Sequence, residues 1–366
     1  MQSPIIACTN CGRPYPAEGV PYRCPACGGV YDFPSPAPFD AAAVDPSQPG
    51  IWRYCDSFGL PRGTTPVSLG EGGTPLIWAQ AFGRQVAFKC EYLNPSGSFK
   101  DRGTAVIAAA LQVRGVRQVV EDSSGNAGAS LAAYAARTGM RARIFVPAEA
   151  SGPKRRQIEA YGAELVPIPG SRADVTEAVR RAAEAGAIYA SHASLPFNLP
   201  GYATAAYEIF EQLGRRMPGA VVTPAGQGGL LLGLRRGFEA LRLGGQSAEG
   251  PRLVAVQARA CAPLWALFTA GREGLAMVSE QPTLAEGVRV RYPVRGDAVL
   301  QAILSSRGTV LAVDEGEILP AREALARLGF YVEPTSSIVW AALATVLPQL
   351  ADPVVVLLTG SGHKSG

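Results

Sequence analysis

The sequence predicts an α/β fold of doubly wound parallel sheets, and three observations carry that prediction. From Val86 onward, short apolar runs alternate with Ala-rich amphipathic stretches, the pattern that lays helices on both faces of a parallel sheet. Turns rich in glycine and serine follow several of the apolar runs, where open α/β sheets bind their ligands. The length, 366 residues, exceeds one ordinary domain and calls for one large or two medium ones.

A small cysteine-rich segment, residues 1–35, precedes the alternation. It contains Cys8-Thr9-Asn10-Cys11-Gly12 and Cys24-Pro25-Ala26-Cys27-Gly28, two Cys-x-x-Cys knuckles each followed by glycine. Four thiolates so spaced suit a closed tetrahedral metal site, or else they are two unmetallated thiol pairs. Iron fits such a geometry as well as zinc, but zinc is the commoner ion in ribbons of this kind. With no open coordination position, its role would be structural. Pro34-Ser35-Pro36-Ala37-Pro38 then reads as a stiff linker, and Trp52-Arg53-Tyr54 as the start of a short helix.

The expected strands are Val86–Cys90, Gln118–Glu121, Arg143–Val146, Glu164–Ile168, Ile188–Ala190, Ala220–Pro224, Leu253–Gln257, Thr309–Val313 and Pro353–Leu358. Helical patterns fill the gaps, among them Thr104–Val113, Ala127–Thr138, Lys154–Tyr161, Val175–Ala185, Thr204–Leu213 and Ile318–Leu328. Composition agrees with a globular chain: 47% of residues are hydrophobic and 17% charged, so a sizeable core can form. A net charge of +4, with no basic run longer than Lys154-Arg155-Arg156, gives no support to nucleic-acid or membrane-surface binding. Neither a secretory leader nor a bilayer-spanning stretch is legible, and a cytoplasmic location is expected. In a reducing compartment the seven cysteines are not a disulfide framework.

Four stretches carry the chemistry. In Asn94-Pro95-Ser96-Gly97-Ser98-Phe99-Lys100-Asp101-Arg102-Gly103, a tight loop delivers Lys100 to a helix start. The helix dipole there disfavours a second positive charge, so a partly desolvated amine loses its proton more easily and can attack a carbonyl. A lone lysine at a helix start is otherwise an ordinary surface group. Asp122-Ser123-Ser124-Gly125-Asn126-Ala127, between an apolar strand and a helix, aims N–H groups and hydroxyls at an anion, or simply turns and caps. Gly226-Gln227-Gly228-Gly229-Leu230 follows a strand, opens a helix and suits a phosphate. It is not a dinucleotide fingerprint, because Leu231 stands in the last glycine's place. Thr359-Gly360-Ser361-Gly362-His363-Lys364 closes the chain with P-loop-like residues at the wrong spacing and no room for a following helix. With His192 and His363 the sole histidines, a His-centred triad is not expected.

Taken together, these stretches resemble the fold-type II pyridoxal-phosphate enzymes of the tryptophan synthase beta superfamily, and threonine synthases most closely. Leu69-Gly70-Glu71-Gly72-Gly73-Thr74-Pro75-Leu76 is similar to that group's entry motif, and the resemblance runs from there to the end of the chain. It implies that Lys100 carries pyridoxal 5'-phosphate as a Schiff base and later moves the substrate's protons. It further implies that Asn126 meets the cofactor's phenolic oxygen, that Gly226, Gln227, Gly228, Gly229 and Leu230 hold its phosphate, and that the Thr359 hydroxyl meets its ring nitrogen. Ser123, Ser124 and the Ala127 backbone would line a substrate carboxylate. Similar ribbons precede some threonine synthase-like chains, which makes Cys8, Cys11, Cys24 and Cys27 structural zinc ligands. Thr283–Gly287 and Glu333–Ser337 also fit the family, or read as plain helix starts.

The implied domains are 1–35 for the ribbon, 36–90 with 200–366 for a larger cofactor-binding domain, and 91–199 for a smaller one bearing the lysine and Ser-Gly-Asn loops. The implied activity is conversion of O-phosphohomoserine and water to threonine and phosphate, by a homodimer acting on a small amino-acid substrate. The pattern departs from the family at Ala127, Leu195 and Ala203, where threonine synthases often carry Thr, Asn and Lys. Polar groups of that kind suit a substrate phosphate, whose two charges need several donors. Lys154, Arg155 and Arg156 either compensate or form a solvated helix face. Two other readings therefore stand beside the first: a serine/threonine ammonia-lyase or β-replacement enzyme, and a catalytically silent cofactor-binding regulator.

Overall fold

The computed structural model describes residues 6–149 and 152–365, so the first five residues of the expected ribbon segment lie outside it. In chain order the strands are β1 Ala7–Cys8, β2 Tyr31–Asp32, β3 Leu76–Ala81, β4 Arg84–Lys89, β5 Gln118–Glu121, β6 Arg141–Pro147, β7 Glu164–Ile168, β8 Ala220–Pro224, β9 Arg252–Ala258, β10 Thr309–Val313 and β11 Val354–Leu357. The α-helices are α1 Lys100–Val113, α2 Asn126–Thr138, α3 Pro153–Ala160, α4 Arg172–Glu184, α5 Asn198–Gln212, α6 Gly229–Leu243, α7 Pro263–Gly274, α8 Gly296–Ser305, α9 Glu315–Arg327 and α10 Pro334–Val346. Among the described residues no helix is long and apolar enough to cross a membrane.

Two compact units result. The first joins residues up to 72 with 94–202, and the second joins 73–93 with 203–365. Residues 36–72, expected to go with the later segments, thus belong to the first unit. Glu71 is the physical reason. Fully buried, it accepts bonds from the Trp52 indole (2.8 Å), the Leu69 amide (2.9 Å) and the Tyr134 hydroxyl on α2 (2.6 Å).

The first unit holds the β1–β2 hairpin of the ribbon and a parallel sheet in the order β5-β6-β7. Its expected strand at 188–190 shrinks to a single parallel bridge, Tyr189 beside Val120, bonded on both sides of Val120 at 2.9 Å. Helix α1 is Ala-rich and buried from Asp101 to Leu111, which is why an all-round small-residue sequence serves there. Ser171 and Asp174 form a capping box that starts α4.

The second unit is built on one sheet, β10-β9-β8-β11-β4-β3. Neighbours are parallel except β3 and β4, which are antiparallel. That exception to the parallel expectation comes from a two-residue turn at Phe82 and Gly83, both at positive φ (49° and 79°). Such a turn matches the twist of a hairpin. Val86, Phe88, Val222, Val254 and Val356 pack under Phe330, Ile338 and Leu343, so the central strands read as continuous apolar runs.

Candidate active site

Lys100 stands at the helix start expected of it: α1 begins with Lys100 itself, ahead of the Ala-rich pattern at Thr104, with Phe99 as an uncapped boundary. The half-buried side chain lies over the Phe99 ring, its Nζ 4.6 Å from the centroid. The loop is held by its neighbour. Asp101, wholly buried, accepts the Ser96 amide, the Ser96 hydroxyl and the Ser130 hydroxyl, each at 2.6 Å. The Gly97 amide closes a turn on the Asn94 carbonyl at 2.7 Å, and Asn94 Oδ1 accepts the Gly72 amide. Sequence reasoning passed over Asp101 as part of a motif. A carboxylate at the first helical turn, five residues after the loop hydroxyl of Ser96, is the signal that would have found it. Ser98 adds a hydroxyl that is wholly buried and has no hydrogen-bond partner among the described residues, two positions before Lys100.

Ser123, Ser124, Gly125 and Asn126 form a half-buried loop between β5 and α2, with Asn126 the first helical residue and Ala127 buried. The loop lies close on its helix: a Cβ at Gly128 would sit 1.8 Å from the Ser123 carbonyl oxygen. Ser130, one turn into α2, bonds both Asp101 and Thr104 on α1 (2.6 and 2.8 Å). The first turns of the two helices are thereby tied, and Lys100 and the Ser-Ser-Gly-Asn loop share one end of the unit. Behind the loop, Glu121 Oε1 meets His192 Nδ1 at 2.8 Å. Burial raises the Glu121 carboxyl above the usual range, against the pull of His192. Asp122 runs the other way. Burial alone would raise it, but the Arg172 guanidinium and the Tyr189 hydroxyl hold it below the ordinary carboxylate range.

In the second unit the glycine loop and Thr359 lie side by side. Strands β8 and β11 are adjacent and parallel, so residues just past their carboxyl ends face the same way. Gly226 is pressed against the Gly287 carbonyl, 2.7 Å from where its Cβ would stand, and Gly228 has φ +76°. Gln227 turns its side chain to the Val294 amide (3.0 Å), which leaves its backbone to serve the loop. No side chain caps α6, so its first N–H groups are available to an anion. Thr359 is buried, and Ser336 organises it. The Ser336 hydroxyl accepts the Thr359 and Gly360 amides (2.9 and 2.8 Å) and lies 3.0 Å from Thr359 Oγ1. With its lone pairs so engaged, Ser336 points its proton between the Gly360 carbonyl, 3.3 Å away, and Thr359 Oγ1. The Glu333–Ser337 stretch thus supports the site through Ser336, while Thr335 does the same for Gly287, whose amide it accepts at 3.0 Å.

The chain has four lysines: Lys89, Lys100, Lys154 and Lys364. Lys89 is fully buried and spends its three protons on the Thr74 carbonyl, Glu208 and Gln212, at 2.7, 2.7 and 2.9 Å. It is a structural cation. Each unit by itself has groups that suit pyridoxal phosphate. The second has an uncapped glycine loop able to take a phosphate and the buried hydroxyl of Thr359. The first has the buried Ser98 hydroxyl, without a hydrogen-bond partner among the described residues, and Lys100 half-buried at a helix start. Among the described residues neither histidine forms a catalytic pair with a nucleophile. His192 meets Glu121, and His363 lies edge-on to Tyr331, 5.0 Å between centroids.

In the ribbon, the sulfurs of Cys8, Cys11, Cys24 and Cys27 all lie within 4.8 Å of one another, with Cys8–Cys27 at 3.4 Å and Cys11–Cys24 at 3.7 Å. Thiolates about 2.3 Å from a tetrahedral zinc stand roughly 3.8 Å apart, so the spacing fits. Burial tends to raise the Cys24 thiol, but the amides of Ala26 and Cys27 and the Tyr31 hydroxyl bring it down to about 6.

Residues 67–360 match the family model described as pyridoxal-phosphate dependent enzyme. The threonine synthase of Methanocaldococcus jannaschii is 32% identical over 98% of this chain and 92% of its own. That of Mycobacterium tuberculosis is 34% identical over 86% of this chain and 88% of its own. Among solved structures, the T.th. threonine deaminase is similar at TM-score 0.64 and 30% identity, over 79% of this chain and 92% of that one. Maize serine racemase shares the fold at TM-score 0.68 and 24% identity, over 79% and 88%. The chain therefore belongs to the family of pyridoxal-phosphate dependent enzymes, and within it is threonine synthase-like.

Proposed function

We propose that this enzyme converts O-phosphohomoserine and water to threonine and phosphate, with Lys100 as the lysine that holds the cofactor. The observation that carries the reading is the likeness to threonine synthases over 98% of the chain, together with a hydroxyl, Thr359, rather than a carboxylate at the expected ring-nitrogen position. Bound pyridoxal phosphate supplies the electron sink that makes the substrate's carbon-bound protons acidic. Asn126 meets the cofactor's phenolic oxygen, and the amides of Gly226, Gln227, Gly228, Gly229 and Leu230 receive its phosphate. A hydroxyl partner does not keep the ring nitrogen protonated as a carboxylate would, which favours elimination and replacement. Ser123, Ser124 and the Ala127 amide hold the substrate carboxylate. Lys100 takes protons from Cα and Cβ and returns them, phosphate leaves from Cγ, and water adds at Cβ. Cys8, Cys11, Cys24 and Cys27 bind a structural zinc ion.

A second reading is a serine or threonine ammonia-lyase. Favouring it, Ala127, Leu195 and Ala203 are all buried and offer no side-chain donor to a substrate phosphate. Arg155, a candidate substitute, is engaged with Glu159 at 3.6 Å. The test is kcat/KM for O-phosphohomoserine against homoserine, serine and threonine. Equimolar threonine and phosphate from O-phosphohomoserine support the synthase. No turnover of it, with rapid deamination of serine or threonine, replaces the synthase by the lyase.

A further inference from the structure

We propose that the N-terminal ribbon is a positioning element of the substrate-carboxylate loop, acting through Tyr22, Tyr189 and Asp122. This role rests on the reading that Ser123 and Ser124 hold the carboxylate, and every residue in it belongs to the first unit.

The ribbon is anchored at two places. Tyr15 packs in the ribbon core beside Cys8, Cys24 and Tyr31, and meets Phe197 edge-on at 5.2 Å. Arg114, at the end of α1, lies over both rings (5.3 and 5.6 Å) and donates to the Ala17 carbonyl at 2.6 Å. The second anchor is the informative one. Tyr22, two residues before Cys24, packs against the cluster of Val120, Phe145, Val175 and Val179, and its ring stands 5.0 Å from that of Tyr189.

Tyr189 does not end there. Its hydroxyl donates to Asp122 Oδ1 at 2.7 Å, while Thr176 and Arg172 engage Oδ2 at 2.8 and 3.0 Å. A second Arg172 nitrogen bonds the Asp122 carbonyl. Asp122 is the residue from which the Ser123–Asn126 loop departs, so its carboxylate and carbonyl set the direction of that loop. A buried aspartate with both oxygens and its backbone bonded has one orientation. Tyr22, from the ribbon, supplies the wall that holds the Tyr189 ring in place. For an active site built from half-buried loop amides, a loosened anchor shows first in substrate affinity.

The experiment compares Tyr22→Ala, Tyr22→Phe and Tyr189→Phe in the full-length holoenzyme. Two readouts are taken: hydrogen exchange of amides 123–129, and KM against kcat for O-phosphohomoserine. Tyr189→Phe keeps the ring and removes the hydroxyl that bonds Asp122, so it tests the relay even where Tyr22→Ala unfolds the ribbon. The expected result is exchange about tenfold faster and KM about tenfold higher in Tyr189→Phe and Tyr22→Ala, with kcat within about twofold and Tyr22→Phe close to wild type. Unmoved exchange in Tyr189→Phe and Tyr22→Ala refutes the relay. Ser124→Ala is the separate check on the carboxylate reading: a KM unmoved there refutes that reading, whatever the aromatic variants do.

Discussion

Asp101→Asn is the perturbation that most sharply tests how the lysine loop is built. The wild-type carboxylate accepts three bonds at 2.6 Å, two on Oδ1 from Ser96 and Ser130 hydroxyls and one on Oδ2 from the Ser96 amide. An asparagine that keeps its oxygen toward the two hydroxyls presents its NH2 group to the Ser96 N–H, donor against donor. One charge-assisted bond is lost, about 1.5–3 kcal/mol, and a buried N–H is stranded, about 1–3 kcal/mol more, so a loss of roughly 3–5 kcal/mol is expected. That is a large share of a stability of about 5–15 kcal/mol, yet leaves a folded protein to study. Urea unfolding followed at unchanged m-value reads the loss as a lower midpoint. The same variant should bind pyridoxal phosphate more weakly, because the loop that presents Lys100 loses its brace. A midpoint shift equivalent to less than about 1 kcal/mol would refute the claim that Asp101 holds the loop.

Three further outcomes follow from the site and its surroundings. Thr359→Ala should weaken cofactor binding by about two- to tenfold, the worth of one neutral hydrogen bond, while Thr359→Ser retains it; equilibrium dialysis separates the two. Metal analysis should find about one zinc per chain, falling in Cys8→Ser; unchanged content in that variant argues against Cys8 as a ligand. The Glu239 carboxyl, bonded to Arg242 and Arg235, is held at about 2 against an ordinary 4.5. Its folded value is depressed, so its contribution is present above pH 4.5 and lost as pH falls toward 2. The stability difference between wild type and Glu239→Gln should therefore vanish across that window, and a difference persisting below it refutes the assignment.

Much of this was legible because each feature had a local cause. Strand–helix alternation reports burial on both faces, so β5, β7, β8 and β10 match their expected bounds. The clustering of the four cysteines was legible through spacing alone, and the place of Lys100 at a helix start through the turn residues before it. What escaped depends on contacts distant in sequence. Nothing near Glu71 announces that Trp52 and Tyr134 will satisfy it, and so the placing of 36–72 was not readable. Ser336 looks like an ordinary helix start until Thr359, 23 residues later, is seen to lean on it. The Tyr22–Tyr189 pair spans the ribbon and the far end of a sheet, and no periodicity reports it. The antiparallel β3 was hidden because a Phe-Gly turn needs Phe82 at positive φ, a conformation that its residue type disfavours.

The proposed chemistry turns on which lysine holds the cofactor. Borohydride reduction of the holoenzyme, followed by peptide mapping, fixes the cofactor to the lysine that carries it. The predicted result is a single modified peptide containing Lys100, absent in Lys100→Ala together with the visible absorbance of the bound cofactor. Modification at Lys89, Lys154 or Lys364, or a Lys100→Ala protein that keeps both absorbance and activity, would contradict it.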